Sequence, residues 1–138
     1  MTHPLTFSHL VEYDAGQPGI ALEVKISRNG HSILVPTKVD TGATHCIFAR
    51  RFGEQLGLDI ETGDPLSIAT AAGSFPAFRH EVTLSLFAYD FDAAICFAAN
   101  ESFTRNVLGR KSFLDRVLLG LNDYEGKLYL SSLAELWQ

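Results

Sequence analysis

Apolar and polar residues alternate over a short stretch early in the chain, which is the pattern of a strand that buries one face. The stretch 20–26 has an apolar residue at every second position, so we expect a strand with one buried side. Asn29-Gly30 is a strong hairpin turn, and it predicts that the chain returns as a second strand over 31–39. This hairpin would place Asp40 in the loop directly after its second strand.

The rest of the chain predicts further short strands and little helix. Phe48, Phe52 and Leu56 have the spacing of one face of a short helix, which Gly57 would end. A second helix-like segment covers 111–116. The remaining pattern predicts six more strands, the first of them an edge strand, over residues 5–13, 65–71, 74–86, 89–97, 117–121 and 127–130. Many short strands with one or two short helices predict a mostly β, barrel-like domain.

Length and composition narrow the class of protein. The 138 residues suit one domain over 1–138, with enough chain for its own core. A net charge of −5 without a run of Lys and Arg argues against nucleic-acid binding. We find neither an apolar stretch of membrane-spanning length nor a signal-peptide pattern, so we expect a cytoplasmic protein without a membrane segment. Cys46 and Cys96 make no disulfide framework and are expected to be buried thiols.

Candidate chemistry is concentrated at Asp40-Thr41-Gly42-Ala43, where a carboxylate ends an apolar strand. Gly42 permits a tight turn whose backbone can approach the acid and a bound molecule closely. Thr41 supplies a short hydroxyl that can fix the loop. The alternative interpretation is an ordinary turn aspartate that binds nearby backbone. The similar tripeptide at 14–16 lies among polar and turn-forming residues and is expected to be a surface turn.

Two segments farther along the chain give Asp40 a structural context that the short motif alone lacks. Val107-Leu108-Gly109-Arg110 repeats the first pattern, because an apolar run again stops at Gly and a helix-like segment follows. Between the two motifs, residues 68–75 predict a hairpin with its turn at Ala72-Gly73. The tip of this hairpin would comprise Ala71, Ala72, Gly73, Ser74 and Phe75.

In this order and spacing, the motifs resemble those of the retropepsin-like aspartic proteases, the family of the retroviral proteases and their single-domain bacterial and eukaryotic relatives. The resemblance covers about residues 20–131 and leaves a C-terminal extension over 132–138. It implies a closed β-barrel with a flap hairpin and one or two short helices. In that fold Asp40 would be catalytic, residues 41–43 would support its loop, 71–75 would cover the substrate, and 107–110 would support the active site from below.

The resemblance also implies a homodimer. In an aspartic protease one carboxylate deprotonates a water while another donates a proton to the scissile carbonyl. This chain contains Asp-Thr-Gly once and is too short for a two-lobed pepsin, so a second Asp40 would come from another copy. We therefore expect a homodimeric aspartic endopeptidase that hydrolyses a peptide or protein substrate and needs no cofactor or metal.

Two other functions remain open from the sequence. A retropepsin-like fold can serve as a dimerisation or binding module with weak or no proteolysis. An unrelated β-barrel that binds a small ligand would use Asp40 only as a turn residue. The pair His45-Cys46 predicts neither a metal site nor a thiol nucleophile, because adjacent strand residues face opposite sides and the sequence has no metal-ligand spacing.

The second motif departs from the retroviral pattern in its expected ion pair. Retroviral members often have an acidic residue after Asp-Thr-Gly-Ala that pairs with the Arg of the second motif, and this chain has Thr44 there. Asp115 and Asp123 are the acids available to Arg110 instead.

The C-terminal extension is the other departure. Leu133, Leu136 and Trp137 have helical spacing and follow Ser131-Ser132, which can cap a short helix. We expect this helix to pack on its own domain or on the partner subunit.

Overall fold

The computed structural model describes residues 1–133 and shows a mostly β fold with one short α-helix. Within these residues the strands are β1 (His9–Glu12), β2 (Ile20–Arg28), β3 (His31–Val39), β4 (Cys46–Phe48), β5 (Asp64–Thr70), β6 (Gly73–Leu86), β7 (Tyr89–Ala98), β8 (Val107–Leu108), β9 (Val117–Asn122) and β10 (Lys127–Ser132). Helix α1 covers Arg50–Gln55, and 3₁₀ turns cover Ile60–Thr62 and Leu114–Arg116. The predicted mostly β class is confirmed. Ser131 and Ser132, which were expected to cap a helix in the C-terminal extension, belong to β10, and residues 134–138 of that extension lie outside the described part of the chain.

Six of the strands close into a barrel. Their order is β2-β3-β8-β4-β7-β6, and β6 pairs back to β2 from Lys25↔Ser85 to Ser27↔Thr83. The β3–β8 and β4–β7 pairings are parallel, and the other pairings of the ring are antiparallel. Strand β5 pairs with β6 outside the ring and forms one arm of the predicted flap hairpin. The expected closed β-barrel is therefore confirmed.

The alternation along β2 decides which side chains fill this barrel. Leu22, Val24 and Ile26 are buried, whereas Glu23 and Lys25 between them are exposed. Full burial of an aliphatic side chain contributes about 1.5–3 kcal/mol of transfer free energy. A slip of one residue would exchange the buried and exposed sets, so the core fixes the register of the strand. Other large, fully buried side chains of the same core include Phe48, Leu84, Ile95, Phe97, Leu108, Phe113, Leu128 and Leu130.

The hairpin between β2 and β3 has the turn that the sequence predicts. Asn29 and Gly30 both have positive φ, 53° and 81°, and Arg28 pairs with His31 across the turn. Two central residues with positive φ match the right-handed twist of the flanking strands, which is why Asn-Gly is favoured here. The paired strands then run to Ile20↔Val39, so Asp40 follows the last paired residue of β3.

The predicted helix is present, and glycine ends it as expected. The amide of Gly57 donates to the carbonyl of Glu54 (2.9 Å) and that of Leu58 to the carbonyl of Gly53 (3.0 Å). Gly57 has a φ of +87°, so this pair of bonds forms a Schellman motif that satisfies the last carbonyls of α1.

Two local predictions are wrong in detail. The flap turn consists of Ala71 and Ala72, because Thr70 pairs with Gly73, which already belongs to β6. The segment 111–116 is not an α-helix and contains only the 3₁₀ turn Leu114–Arg116. Ser112 explains the second difference. Its φ of 78° interrupts a helix, and its amide and hydroxyl are bonded to Asp115 and to the amide of Ala94.

The ends of the described chain form a separate small sheet in the order β1-β10-β9. The predicted closing hairpin is confirmed as β9 and β10, and the predicted edge strand is shortened to β1. Among residues 1–133 there is no helix of the length and apolarity needed to span a membrane.

Candidate active site

Asp40 is exposed at the end of β3, and main-chain bonds hold it in a tight turn. Its amide donates to the carbonyl of Leu108 (2.9 Å), and its carbonyl accepts from the amide of Ala43 (3.2 Å). Its Oδ1 atom accepts from the amide of Gly42 at 2.9 Å. Because an ionised carboxylate offers about four acceptor sites, this bond orients the acid and leaves acceptor capacity for other groups.

The same local bond occurs at Asp14, whose Oδ1 accepts from the amide of Gly16 at 2.9 Å. The predicted surface turn at 14–16 is thus present, and Asp14 and Asp40 share one turn geometry. What separates the two aspartates is their surroundings. Asp40 lies between two grooves and is bonded to a second chain segment, whereas Asp14 lines neither groove and its side chain bonds within its own turn.

The second motif lies directly beneath the loop of Asp40. The amide of Arg110 donates to the carbonyl of Ala43 (2.8 Å), and the amide of Lys111 donates to the carbonyl of Thr44 (2.8 Å). A Cβ atom on Gly109 would lie 2.6 Å from the Ala43 carbonyl oxygen and still closer to that of His45. Glycine is therefore required at 109, because any side chain would push the two motifs apart.

The other residues of the second motif are partly buried beneath the loop and partly exposed. Leu108 is fully buried and pairs with Val39, while Val107 lines both grooves beside Asp40. Arg110 is exposed and has no ion pair among the described residues.

Neither of the two acids expected to be available to Arg110 forms an ion pair with it within residues 1–133, and both contact other groups. Asp115 accepts from the amide of Ser112 at 3.0 Å and lies 3.5 Å from Arg116. Asp123 accepts from the hydroxyl of Tyr13 at 2.6 Å.

Asn106 is a structural residue of the site that the sequence analysis missed. It is buried, its Nδ2 donates to the carbonyl of Pro36 (3.0 Å), and its Oδ1 accepts from the amide of Ala49 (2.9 Å). Its carbonyl also accepts from the amide of Lys38 (3.0 Å). One side chain thus joins the end of β3, the start of α1 and the second motif. In the sequence, Asn before an apolar run is indistinguishable from a turn residue.

The first groove, which we call the flap cleft, has a volume of about 480 Å³ and lies between the Asp40 loop and the flap hairpin. A small apolar cluster forms its floor, and the ring of Phe75 stacks on that of Phe103 with centroids 4.8 Å apart. The residues that line the flap cleft are Asp40, Gly42, Ala43, Thr44, His45, Ile47, Ser67, Ile68, Ala69, Thr70, Phe75, Phe103, Arg105 and Val107.

Of the five predicted flap residues, the structure places only Phe75 against this cleft. Residues 71–74 lie exposed at the tip of the hairpin. Thr70, which the sequence analysis did not select, lines the cleft and also fixes the tip. Its hydroxyl donates to the carbonyl of Gly73 (2.7 Å) and accepts from the amide of Ala72 (3.3 Å).

The second groove, which we call the basic groove, has a volume of about 740 Å³ and also reaches Asp40. It contains the cations Lys38, Arg51 and Arg105, none of which the sequence analysis selected. The residues that line the basic groove are Pro18, Gly19, Ala21, Pro36, Thr37, Lys38, Val39, Asp40, Arg51, Thr104, Arg105, Asn106 and Val107. Asp40 is therefore the meeting point of two grooves, and one of them contains three cations.

The two thiols near the site are unsuited to nucleophilic chemistry. Burial raises the pKa of Cys46 to about 12, and its Sγ donates to the carbonyl of Lys111 at 3.3 Å. Burial likewise raises the pKa of Cys96 to about 11. Both thiols stay protonated at neutral pH, and the thiolate is the reactive form. The prediction of buried thiols is confirmed, and in residues 1–133 no cluster of three His, Cys, Asp or Glu could hold a metal.

Comparisons with known proteins agree with this geometry. A family model described as aspartyl protease matches residues 22–121, most of the chain. The comparison with curated proteins gives no match. Together with the fold, the family match shows that the chain belongs to the retropepsin-like aspartyl protease family.

Two solved structures show the same fold. A retropepsin-like aspartic protease from Rickettsia conorii superposes with a TM-score of 0.65 at 16% identity, over 89% of this chain and 97% of that one. The EIAV protease, solved in complex with the inhibitor HBY-793, superposes with a TM-score of 0.56 at 18% identity, over 72% of this chain and 88% of that one.

Proposed function

We propose that this protein is an aspartic endopeptidase that works as a homodimer and hydrolyses peptide bonds between two Asp40 carboxylates. The observation that carries the proposal is the setting of Asp40. It is a single acid on a loop bonded to the second motif, at the meeting point of two grooves beneath a flap. Retropepsin-like proteases act as dimers on peptide substrates, and one such acid per chain requires a second copy.

The chemistry follows from placing the two carboxylates on a two-fold axis. Two carboxylates about 3 Å apart cannot both ionise readily, so they share one proton. The ionised member accepts a proton from a water as that water attacks the scissile carbonyl, and the protonated member donates to the carbonyl oxygen. Collapse of the resulting gem-diol breaks the C–N bond as a proton passes to the leaving nitrogen. No covalent intermediate is formed.

The neighbouring residues hold the Asp40 carboxylate in position and take no part in proton transfer. Gly42 orients the carboxylate through its amide, and Ala43 joins the loop to the second motif through its carbonyl. The Thr41 hydroxyl is exposed and makes no hydrogen bond within residues 1–133. In the proposed dimer this hydroxyl bonds across the two-fold axis and locks the two loops together. The flap would cover an extended peptide, exclude water and add main-chain hydrogen bonds.

Replacement of the acid tests the proposal. Asp40→Asn keeps the size of the side chain and the bond from the Gly42 amide but cannot act as base or acid, so it should abolish peptide hydrolysis while the fold and the dimer persist. Asp14→Asn is the matched control, because Asp14 makes the same turn bond outside the two grooves. Activity of Asp40→Asn close to that of the wild type would exclude this mechanism.

A binding or dimerisation module with weak proteolysis is the second candidate, and Arg110 is the observation that favours it. Thr44 replaces the expected acid, and Arg110 has no ion pair in the described part of the chain. Sedimentation and a pepstatin-type inhibitor separate the candidates. A dimer that binds the inhibitor and cleaves peptides supports the protease. A dimer that cleaves nothing supports the module, and a monomer contradicts both.

A further inference from the structure

The basic groove gathers positive charge in a chain where acids are in excess. The chain has 16 acidic and 11 basic residues, yet the described lining of this groove has three cations around one acid, Asp40. Within residues 1–133 the cations in ion pairs are Arg50, Arg79, Arg116 and Lys127. Lys38, Arg51 and Arg105 are absent from these pairs, so their charges are available to a ligand in the groove.

Contacts with neighbouring residues hold two of the three cations in place. The stem of Lys38 lies against Gly19, which has a φ of +80°, and its ammonium donates to the carbonyl of Pro18. An ammonium has three donors, so two remain. The guanidinium of Arg51 lies 4.8 Å from the centre of the Phe52 ring, a cation–π contact that leaves its N–H edge free.

Arg105 is the cation common to both grooves. It lines the flap cleft and the basic groove, as Asp40 and Val107 also do. The next residue, Asn106, is buried and bonded to Pro36 and Ala49, so the backbone that carries Arg105 is anchored to β3 and α1. The guanidinium of Arg105 is exposed in the same grooves as Asp40, and a guanidinium fork matches the two oxygens of a carboxylate.

The two grooves together define a substrate pattern. Successive side chains of an extended peptide point in opposite directions, so neighbouring side chains can enter grooves on different sides of Asp40. Ile47, Ile68 and Phe75 make the flap cleft suitable for an apolar side chain. We propose that the basic groove selects a carboxylate side chain, Asp or Glu, near the scissile bond, and that Arg105 and Lys38 bind it. This inference rests on the proposed peptidase function, because it assigns specificity to the same site.

Isosteric peptides test the inference. Each peptide has the same apolar residue and, next to it, Glu, Gln or Lys. The two residues lie either on opposite sides of the scissile bond or on the same side of it. A charge-assisted hydrogen bond predicts that kcat/KM for the Glu peptide exceeds that for the Gln peptide by about 10-fold or more, with the Lys peptide lowest. The ratio of Glu to Gln should fall as salt is raised, because the groove cations are exposed.

Two variants of Arg105 assign the preference to the groove. Arg105→Gln should lower the preference for Glu over Gln, because Lys38 remains in the groove, and Arg105→Glu should reverse the order of the Glu and Lys peptides. Arg28→Glu is the matched control, since it makes the same charge change at the far end of the β2–β3 hairpin, about 27 Å along β3 at a strand rise of about 3.4 Å per residue. The control should keep the wild-type order.

Binding to Asp40→Asn separates failure of this inference from failure of the peptidase proposal. If peptides are cleaved with equal kcat/KM for Glu and Gln, or if Arg105→Glu keeps the wild-type order, the groove assignment is overturned and the peptidase proposal stands. If no peptide is cleaved, the peptidase proposal fails, and peptide binding to Asp40→Asn then tests the groove assignment. Tighter binding of the Glu peptide that is lost on adding Arg105→Glu supports the groove, and equal binding of the Glu and Gln peptides overturns it.

Discussion

Replacement of Asn106 should reveal how much the site depends on one buried amide. Asn106→Ala removes the acceptor of the Ala49 amide and the donor to the Pro36 carbonyl, and both partners lie in the interior or partly buried. An unsatisfied buried group costs about 1–3 kcal/mol. Because some water can enter the vacated space, we expect a total loss of about 2–4 kcal/mol in the free energy of unfolding.

This loss is large enough to measure by thermal unfolding. An unfolding entropy of about 2.1 cal/mol/K per residue gives about 0.29 kcal/mol/K for this chain, so a loss of 3 kcal/mol lowers Tm by about 10 °C. Calorimetry or circular dichroism at fixed protein concentration would give the shift. Asn100→Ala is the matched control, because Asn100 is exposed and its side chain accepts a local hydrogen bond from the Ser102 amide.

The comparison of the two asparagine variants can refute the reasoning. If Asn106→Ala lowers Tm no more than Asn100→Ala does, the buried amide does not stabilise the junction of β3, α1 and the second motif. Activity gives a second readout. Well below its Tm, Asn106→Ala should retain its fold but lose part of kcat, because the segment that positions Asp40 has lost an anchor.

Three further predictions concern the loop and its support. Gly109→Ala should abolish activity or folding, because its Cβ would lie 2.6 Å from the Ala43 carbonyl oxygen. Gly30 lies in open space, so Gly30→Ala should lower Tm only by the cost of placing a side chain at a positive φ. Thr41→Val should weaken the dimer by about 1–3 kcal/mol per site in sedimentation, while Thr41→Ser keeps it; equal dimer constants would refute the proposed bond across the axis. The third concerns Cys46, whose pKa is raised by burial from 9.0 to about 12, so the folded protein holds this proton longer than the unfolded chain does. Stability should therefore fall between about pH 9 and 12, and fall less steeply in Cys46→Ala, in denaturant titrations at each pH.

The sequence predicts the barrel well because its strands carry their own signals. Alternation marks β2, Asn29-Gly30 has a turn geometry that two-residue hairpins favour, and Gly57 ends α1 as a helix C-cap does. The predicted helix at 111–116 fails because of Ser112. Its positive φ is stabilised by bonds to Asp115 and Ala94, and a bond to a distant strand leaves no mark in a local pattern.

The candidate site is predictable where the motif is local and not where it depends on assembly of the fold. Asp40 and Gly109 follow from short motifs, and the main-chain bonds between their segments explain why those residue types are needed. The roles of Asn106 and Arg105 depend on which strands become neighbours. An exposed Arg and a polar Asn before a strand occur in many proteins, so neither residue has a distinctive sequence signal before β3 and β8 are paired.

The pairing of β3 with β8 also bears on when this protein can act during its synthesis. The bond from Asn106 to the Pro36 carbonyl joins residues 70 positions apart, and the Asp40 amide donates to Leu108 across a similar span. Closing a loop of that length costs about 4 kcal/mol of chain entropy, and long-range contacts slow folding. A nascent chain therefore lacks an ordered acid loop until its second half has left the ribosome. The order of synthesis would thus keep the proposed active site unformed until most of the chain has been made.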